Sequence, residues 1–127
     1  MLQLMPARAR DPVYRMALSA ARAAEEKKGG DIVLLDVSRV STLADYFLLV
    51  SGYSLTQVRA IAQAIEERLW EEWQRTPQRI EGQDSGSWIL IDYADLIVHV
   101  MMQNEREYYD LESFWIQAER VELPLAG

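Results

Sequence analysis

The chain reads as an α/β fold, a single domain in which helices cover a mixed β-sheet. Three features predict it. DIVLLDV (31–37) and YFLLVS (46–51) are short continuous apolar runs, which suit strands covered on both faces. Between Asp11 and Gly29, and again between Ser54 and Thr76, apolar residues recur at helical spacing. SWILID (87–92) alternates instead, and a tight turn joins it to the apolar run LIVHVMM. A length of 127 residues fits one modest core.

In chain order, residues 1–10 read as a flexible leader, 11–123 as the domain and 124–127 as a tail. Asp11-Pro12 is an N-cap followed by proline at the first helical position. Val13, Ala17, Ala20, Ala21 and Ala24 then form a narrow, mostly alanine face that suits close packing, and Gly29-Gly30 stops the helix. Two buried strands follow, linked by SRVSTLAD. Ser54-Leu55-Thr56-Gln57 is a capping box. It opens a helix whose face holds Leu55, Val58, Ala62, Ile65 and Leu69, with Ile61 beside them, and Thr76-Pro77 marks its end.

Residues 79–81 suit a short strand and QDSG (83–86) a turn. In the strand after it, Trp88 and Leu90 share one face, Ile89 and Ile91 the other. Tyr93-Ala94-Asp95 closes a hairpin, the antiparallel part of the sheet. Asn104–Glu107 caps a last helix with Tyr108, Leu111 and Trp115 on one inward stripe, and 119–127 trails off, stopped by Pro124. The order is α-β-β-α-β-β-β-α, with no repeat or linker.

Composition excludes several function classes. The chain has no cysteine, so disulfides, thiolate zinc sites and cysteine nucleophiles are ruled out. MLQLMPARAR is too short and interrupted for a signal peptide. No run of roughly 18 apolar residues exists, so no membrane contact is expected. The expected location is the cytoplasm, or an organelle interior. Net charge is -7, from 13 Lys+Arg and 20 Asp+Glu. That balance points away from phosphate-based nucleic-acid binding, and little of it is expected. The basic residues Arg8, Arg10, Arg15, Arg22, Lys27 and Lys28 read as a tail and a solvated helix face.

The chemistry-bearing residues do not assemble a reactive centre on paper. Nucleotidyl transfer needs carboxylates that jointly hold Mg²⁺, commonly two residues apart on one strand face. Asp92 and Asp95 have a different spacing and sit at a turn, where Asp serves the backbone. His99 is the only histidine, set in an apolar strand, and a zinc site needs three or four ligands. Ser51 and Ser54 lack the partners of a triad, and Ser54 already has a cap to make. No catalytic residue, metal or cofactor is therefore expected.

Three blocks carry a resemblance. ADYFLLVSGYSLTQVRAIAQAIEERL (44–69), GSWILIDYADLIVHVM (86–101) and EREYYDLESFW (105–115) resemble, in order, the signatures of the Iojap or ribosomal silencing factor S family. The likeness runs from about Val13 to Leu123. It implies a fold similar to nucleotidyltransferases but without their catalytic motif. It also implies a protein that binds the large ribosomal subunit through the L-fourteen ribosomal protein, blocks subunit joining and represses translation. Members are commonly homodimers.

The resemblance selects a candidate partner-binding set: Trp88, Leu90, Asp92, Tyr93, Asp95, Glu105, Tyr109, Asp110 and Glu112. From the residues alone, Trp88 serves equally as core or as interface anchor. An acidic and aromatic face complements a basic ribosomal protein. Trp70 and Trp73 suit either the core or a dimer contact. Two other readings stay open: a divergent nucleotidyltransferase, and an acidic adaptor for a different basic protein.

Overall fold

A computed structural model describes residues 7–125. Its elements are α1 (Pro12–Glu26), β1 (Gly30–Asp36), β2 (Tyr46–Gly52), α2 (Leu55–Trp73), β3 (Arg79–Glu81), β4 (Trp88–Asp92), β5 (Leu96–Met102), α3 (Gln103–Tyr109), α4 (Leu111–Phe114) and β6 (Glu119–Val121). They form one α/β domain around a six-stranded mixed sheet of order β3-β4-β5-β2-β1-β6. Only β2 and β5 pair in parallel. Antiparallel pairing extends beyond the expected hairpin, because β1 also runs antiparallel to β2.

Local chemistry sets the helix starts. The Asp11 carboxylate accepts the Val13 N–H at 2.9 Å. The Ser54 hydroxyl accepts the Gln57 N–H at 3.0 Å, and the Gln57 side chain accepts from Tyr53 N–H at 2.7 Å. These bonds satisfy donors that a helix start otherwise leaves open. The same Gln57 amide donates to the carbonyls of Lys27 and Lys28, tying the start of α2 to the end of α1.

One sheet face carries Leu34, Leu48, Val50, Ile89, Ile91, Leu96, Val98 and Val100, all buried beneath α1 and α2. The alanines of α1 are sealed, and their small side chains let the two helices and the sheet approach closely. The opposite face carries Val33, Leu35, Phe47, Leu49 and Ile97, with Leu90, Leu111, Trp115 and Ala118 packed against them. Its cover is the short C-terminal helical segment. The period-2 side-chain alternation thus divides every strand between a helix-covered face and a partly open one.

Several expectations are corrected. Ala7–Arg10, expected within a loose leader, is a turn of 3-10 helix. Arg8 anchors it, bonding Asp36 and Glu119 at 2.8 Å each and Tyr46 at 3.0 Å. Residues 1–6 lie outside the described part. α2 ends at Trp73, before Thr76-Pro77, because Gln74 turns left-handed at φ 51° and the Arg75 N–H returns to the Leu69 carbonyl. Leu55, expected on the buried face of α2, is exposed at its first turn. The stretch from 119, expected to be irregular, contains β6, which pairs with β1 through Leu34–Asp36. The expected last helix is two short ones, broken at Asp110, whose φ of 46° is left-handed. The break takes Tyr108 off the inward stripe and leaves it 81% exposed.

Candidate docking surface

The sequence-selected residues divide sharply, and only some of them lie on the partly open sheet face. Trp88 is half-buried. Its indole N–H donates to Nδ1 of His99 at 3.1 Å, and its ring meets Tyr109 with centroids 5.0 Å apart. Leu90 is half-buried on the same face. Tyr109 is half exposed and touches Tyr108, again at 5.0 Å.

Asp92 and Tyr93 do not face outward. Asp92 is buried, accepts the Ala94 N–H at 2.7 Å and pairs with Arg79 at 3.2 Å. It holds the hairpin turn and is not displayed to a partner. Tyr93 is sealed on the opposite face, under α2, and burial raises its hydroxyl pKa, with the nearby Glu66 charge adding to the rise. Asp95 is partly exposed but engaged: Arg75 donates to its carboxylate at 3.0 Å and to the Tyr93 carbonyl at 2.8 Å. That clamp fixes the hairpin against the end of α2.

The α3–α4 carboxylates also divide. Glu112 accepts two bonds from Arg106, at 2.9 and 3.1 Å. Arg106 itself is buried and reaches the buried Ser51 hydroxyl at 3.0 Å. Glu105 is partly exposed, and Asp110 is exposed. Trp88 and Tyr109 therefore meet at the surface, with Leu90 on the same sheet face and Glu105 and Asp110 on the helical segment that carries Tyr109.

Aromatic contacts link this patch to a second exposed end. Phe114 meets Trp115 at 5.2 Å, Trp115 meets Phe47 at 5.3 Å, and Phe47 meets His99 at 5.4 Å. His99 then contacts Trp88. The middle of the chain is buried, while Phe114 and Ile116 are 75% and 76% exposed. Sequence reasoning missed both. Their signal was present: bulky side chains next to Trp115 in a segment too short to bury every face. Large exposed apolar side chains gathered in one region mark an interaction surface.

The one histidine is held neutral inside the fold. Burial, and then the positive charge of Arg106, push His99 down to about 4, so the ring is neutral at pH 7. Its Nδ1 accepts the Trp88 N–H, which leaves the proton on Nε2. Among the described residues, no three His, Asp or Glu side chains converge as a metal ion requires. Among the same residues, no helix is long and apolar enough to cross a membrane. Two of the basic residues are engaged within the fold: Arg8 in its ion pairs, and Arg15 over the Trp73 ring at 5.6 Å.

The family described as ribosomal silencing factor during starvation matches residues 10–126. A Bacillus subtilis protein named ribosomal silencing factor RsfS is 40% identical over 104 residues, spanning 82% of this chain and 87% of its own. A chloroplastic Zea mays protein named Iojap is 31% identical over 110 residues, 85% of this chain and 46% of its own. A crystal structure from Chromobacterium violaceum superposes with a TM-score of 0.77 at 34% identity, covering 87% of this chain and 90% of that one. The chain belongs to the ribosomal silencing factor family.

Proposed function

We propose that the protein docks through this surface on a basic protein of the large ribosomal subunit, and that the bound factor blocks subunit joining and represses translation. The L-fourteen ribosomal protein is the partner that the sequence resemblance implies. The observation that carries the reading is the aromatic patch itself. Tyr109 is 50% exposed beside a half-buried Trp88, with Glu105 and Asp110 on the same helical segment. A half-buried tryptophan with an aromatic neighbour and a charged rim is the anatomy of an interface anchor. A net charge of -7 favours encounter with a cationic partner.

The action is steric and needs no reactive group. Asp92 and Asp95, the carboxylates that a nucleotidyltransferase reading would use, are engaged by Arg79 and Arg75. A ribosomal partner places the protein where ribosomes assemble, in the cytoplasm or an organelle interior. The resemblance also implies a homodimer, and exposed Trp70 on α2 offers an anchor for a second copy. Sedimentation of the free protein tests that state.

Co-sedimentation with purified ribosomal subunits tests the main reading. The protein should travel with large subunits and not with small ones, and it should lower the yield of joined ribosomes. Failure to travel with large subunits in excess would sink the proposal. Repeating the run at two salt concentrations separates the electrostatic contribution.

A further inference from the structure

We infer that Arg106 is a positioning residue for the docking surface. It locks the α3–α4 segment to the sheet so that Tyr109 stays against Trp88. This inference rests on the docking reading above and adds the device that shapes the surface.

The fold gives α3–α4 little else to hold it. α3 has 7 residues and α4 has 4, too few to be stable as isolated helices. Between them Asp110 takes a left-handed φ of 46°, a conformation that costs a non-glycine residue. Tyr108, Tyr109 and Phe114 are exposed, and Leu111, Trp115 and Ala118 of the following turns are only partly buried against the sheet. Something must offset the strain and the lost chain entropy.

Arg106 is the group placed to do so. Its guanidinium spans three elements. One nitrogen donates to Ser51 at the end of β2, and two others grip the Glu112 carboxylate across the Asp110 break. A planar fork can make all three bonds at once; an ammonium group cannot hold the same geometry. Arg106 is buried while Tyr108 and Tyr109 on the same helix are exposed. A buried charge of this kind is costly to leave unpaired, so each bond resists release of the segment. Tyr109 follows Arg106 by three residues, within one turn of the same helix, and so is fixed by the same anchor.

The experiment compares Arg106→Gln, Arg106→Lys, Ser51→Ala and Glu112→Gln with Trp88→Ala as reference. Each is read by affinity for purified large subunits, by thermal melting and by amide hydrogen exchange of the free protein. In Arg106→Gln, amides of 106–115 should exchange faster while those of β2 and β5 do not. Affinity should fall about tenfold or more, the scale for cutting a buried charge-assisted bond. Arg106→Lys should recover part of that loss. Ser51→Ala removes one bond and keeps the ion pair, and should give a smaller loss in both readouts; Glu112→Gln removes the counter-charge of buried Arg106, and its loss should approach that of Arg106→Gln. Pairing Arg106→Gln with Tyr109→Ala should cost little more affinity than Tyr109→Ala alone, because one acts through the other.

The inference is overturned if wild type and Trp88→Ala differ in binding while Arg106→Gln binds like wild type. It is also overturned if Arg106→Gln merely lowers the melting temperature, with Ser51→Ala and Glu112→Gln unchanged in binding and in exchange of 106–115. If wild type itself does not bind large subunits, the docking reading fails. The exchange measurement then still decides whether Arg106 fixes the segment.

Discussion

Trp88 and His99 share a hydrogen bond of 3.1 Å across the β4–β5 ladder, from indole N–H to Nδ1. They are diagonal neighbours: Trp88 pairs with Met101, and His99 pairs with Leu90. Diagonal pairs on one sheet face stay within reach of long aromatic side chains. The bond fixes the indole orientation of Trp88, the anchor of the proposed docking surface, and Phe47 braces the imidazole edge-on from β2 at 5.4 Å. A buried histidine thus serves the surface without belonging to it.

A pH dependence follows from that bond. Burial, with Arg106 nearby, lowers His99 from 6.5 to about 4. The unfolded chain therefore binds this proton more readily, and protonation opposes folding. The His99 contribution is fully present above pH 6.5 and is lost as pH falls towards 4. Glu66 and Asp45, both raised by burial first and neighbouring carboxylates second, act in the opposite direction over the acid range. Asp36 sides with His99: burial would raise its carboxyl, but bonds from Ser38 and Arg8 outweigh that and lower it. His99→Gln retains an acceptor for Trp88. Chemical denaturation between pH 4 and 7 should show a flatter stability profile for His99→Gln than for wild type. Parallel profiles would remove His99 as the source.

Trp88 separates packing from hydrogen bonding. Trp88→Ala should weaken large-subunit binding by about 2 kcal/mol, the scale of an aromatic hot spot. Trp88→Phe keeps an aromatic ring beside Tyr109 but loses the N–H to His99, and should recover more than half of that. An unchanged affinity in Trp88→Ala would take Trp88 out of the interface.

How much of this was legible in the sequence depends on whether the signal was local. The Asp11 and Ser54 caps, both faces of β4 and the hairpin at Tyr93–Asp95 followed from turn chemistry and side-chain period. β6 was missed because Glu-Arg-Val is short and charged and sits at a sheet edge, where pairing needs only its backbone. The Asp110 break was missed because a left-handed aspartate interrupts the helix without a glycine or proline to announce it. Tyr108 and Leu111 look continuous in period but lie on either side of that break. At the candidate site, Trp88, Leu90 and Tyr109 were legible as residues. Their contact was not, since it depends on Arg106 reaching Ser51 from 55 positions away in sequence. The turn role of Asp92 was legible, and the Ala94 amide bears it out; its place in the partner-binding set came from the resemblance, and burial beside Arg79 withdraws it.

The β4–β5 turn stores strain that can be removed. Ala94 has φ 74°, and the Asp95 N–H returns to the Tyr93 carbonyl at 3.0 Å across it. A Cβ is unfavourable in that region, while glycine occupies it freely. Ala94 is exposed, so its methyl contributes little burial. Ala94→Gly should stabilise the protein by about 0.5–1 kcal/mol, after the greater freedom of glycine in the unfolded chain is deducted. Urea denaturation measures this, and a loss of stability would show that the turn prefers a side chain.

The alanine face of α1 predicts a steep size limit. Ala17, Ala20, Ala21 and Ala24 have no exposed surface, and α1 packs against both α2 and the sheet there. A larger side chain would push α1 outward, carrying with it the Gln57 bonds to Lys27 and Lys28 that join the two helices. Ala20→Leu should cost about 1–3 kcal/mol by overpacking, although leucine is as good a helix former as most residues. Arg22 is exposed on the same helix, so Arg22→Leu should stay within about 0.5 kcal/mol. Equal effects in the two variants would mean that helix propensity, not the close approach of α1, decides what this face tolerates.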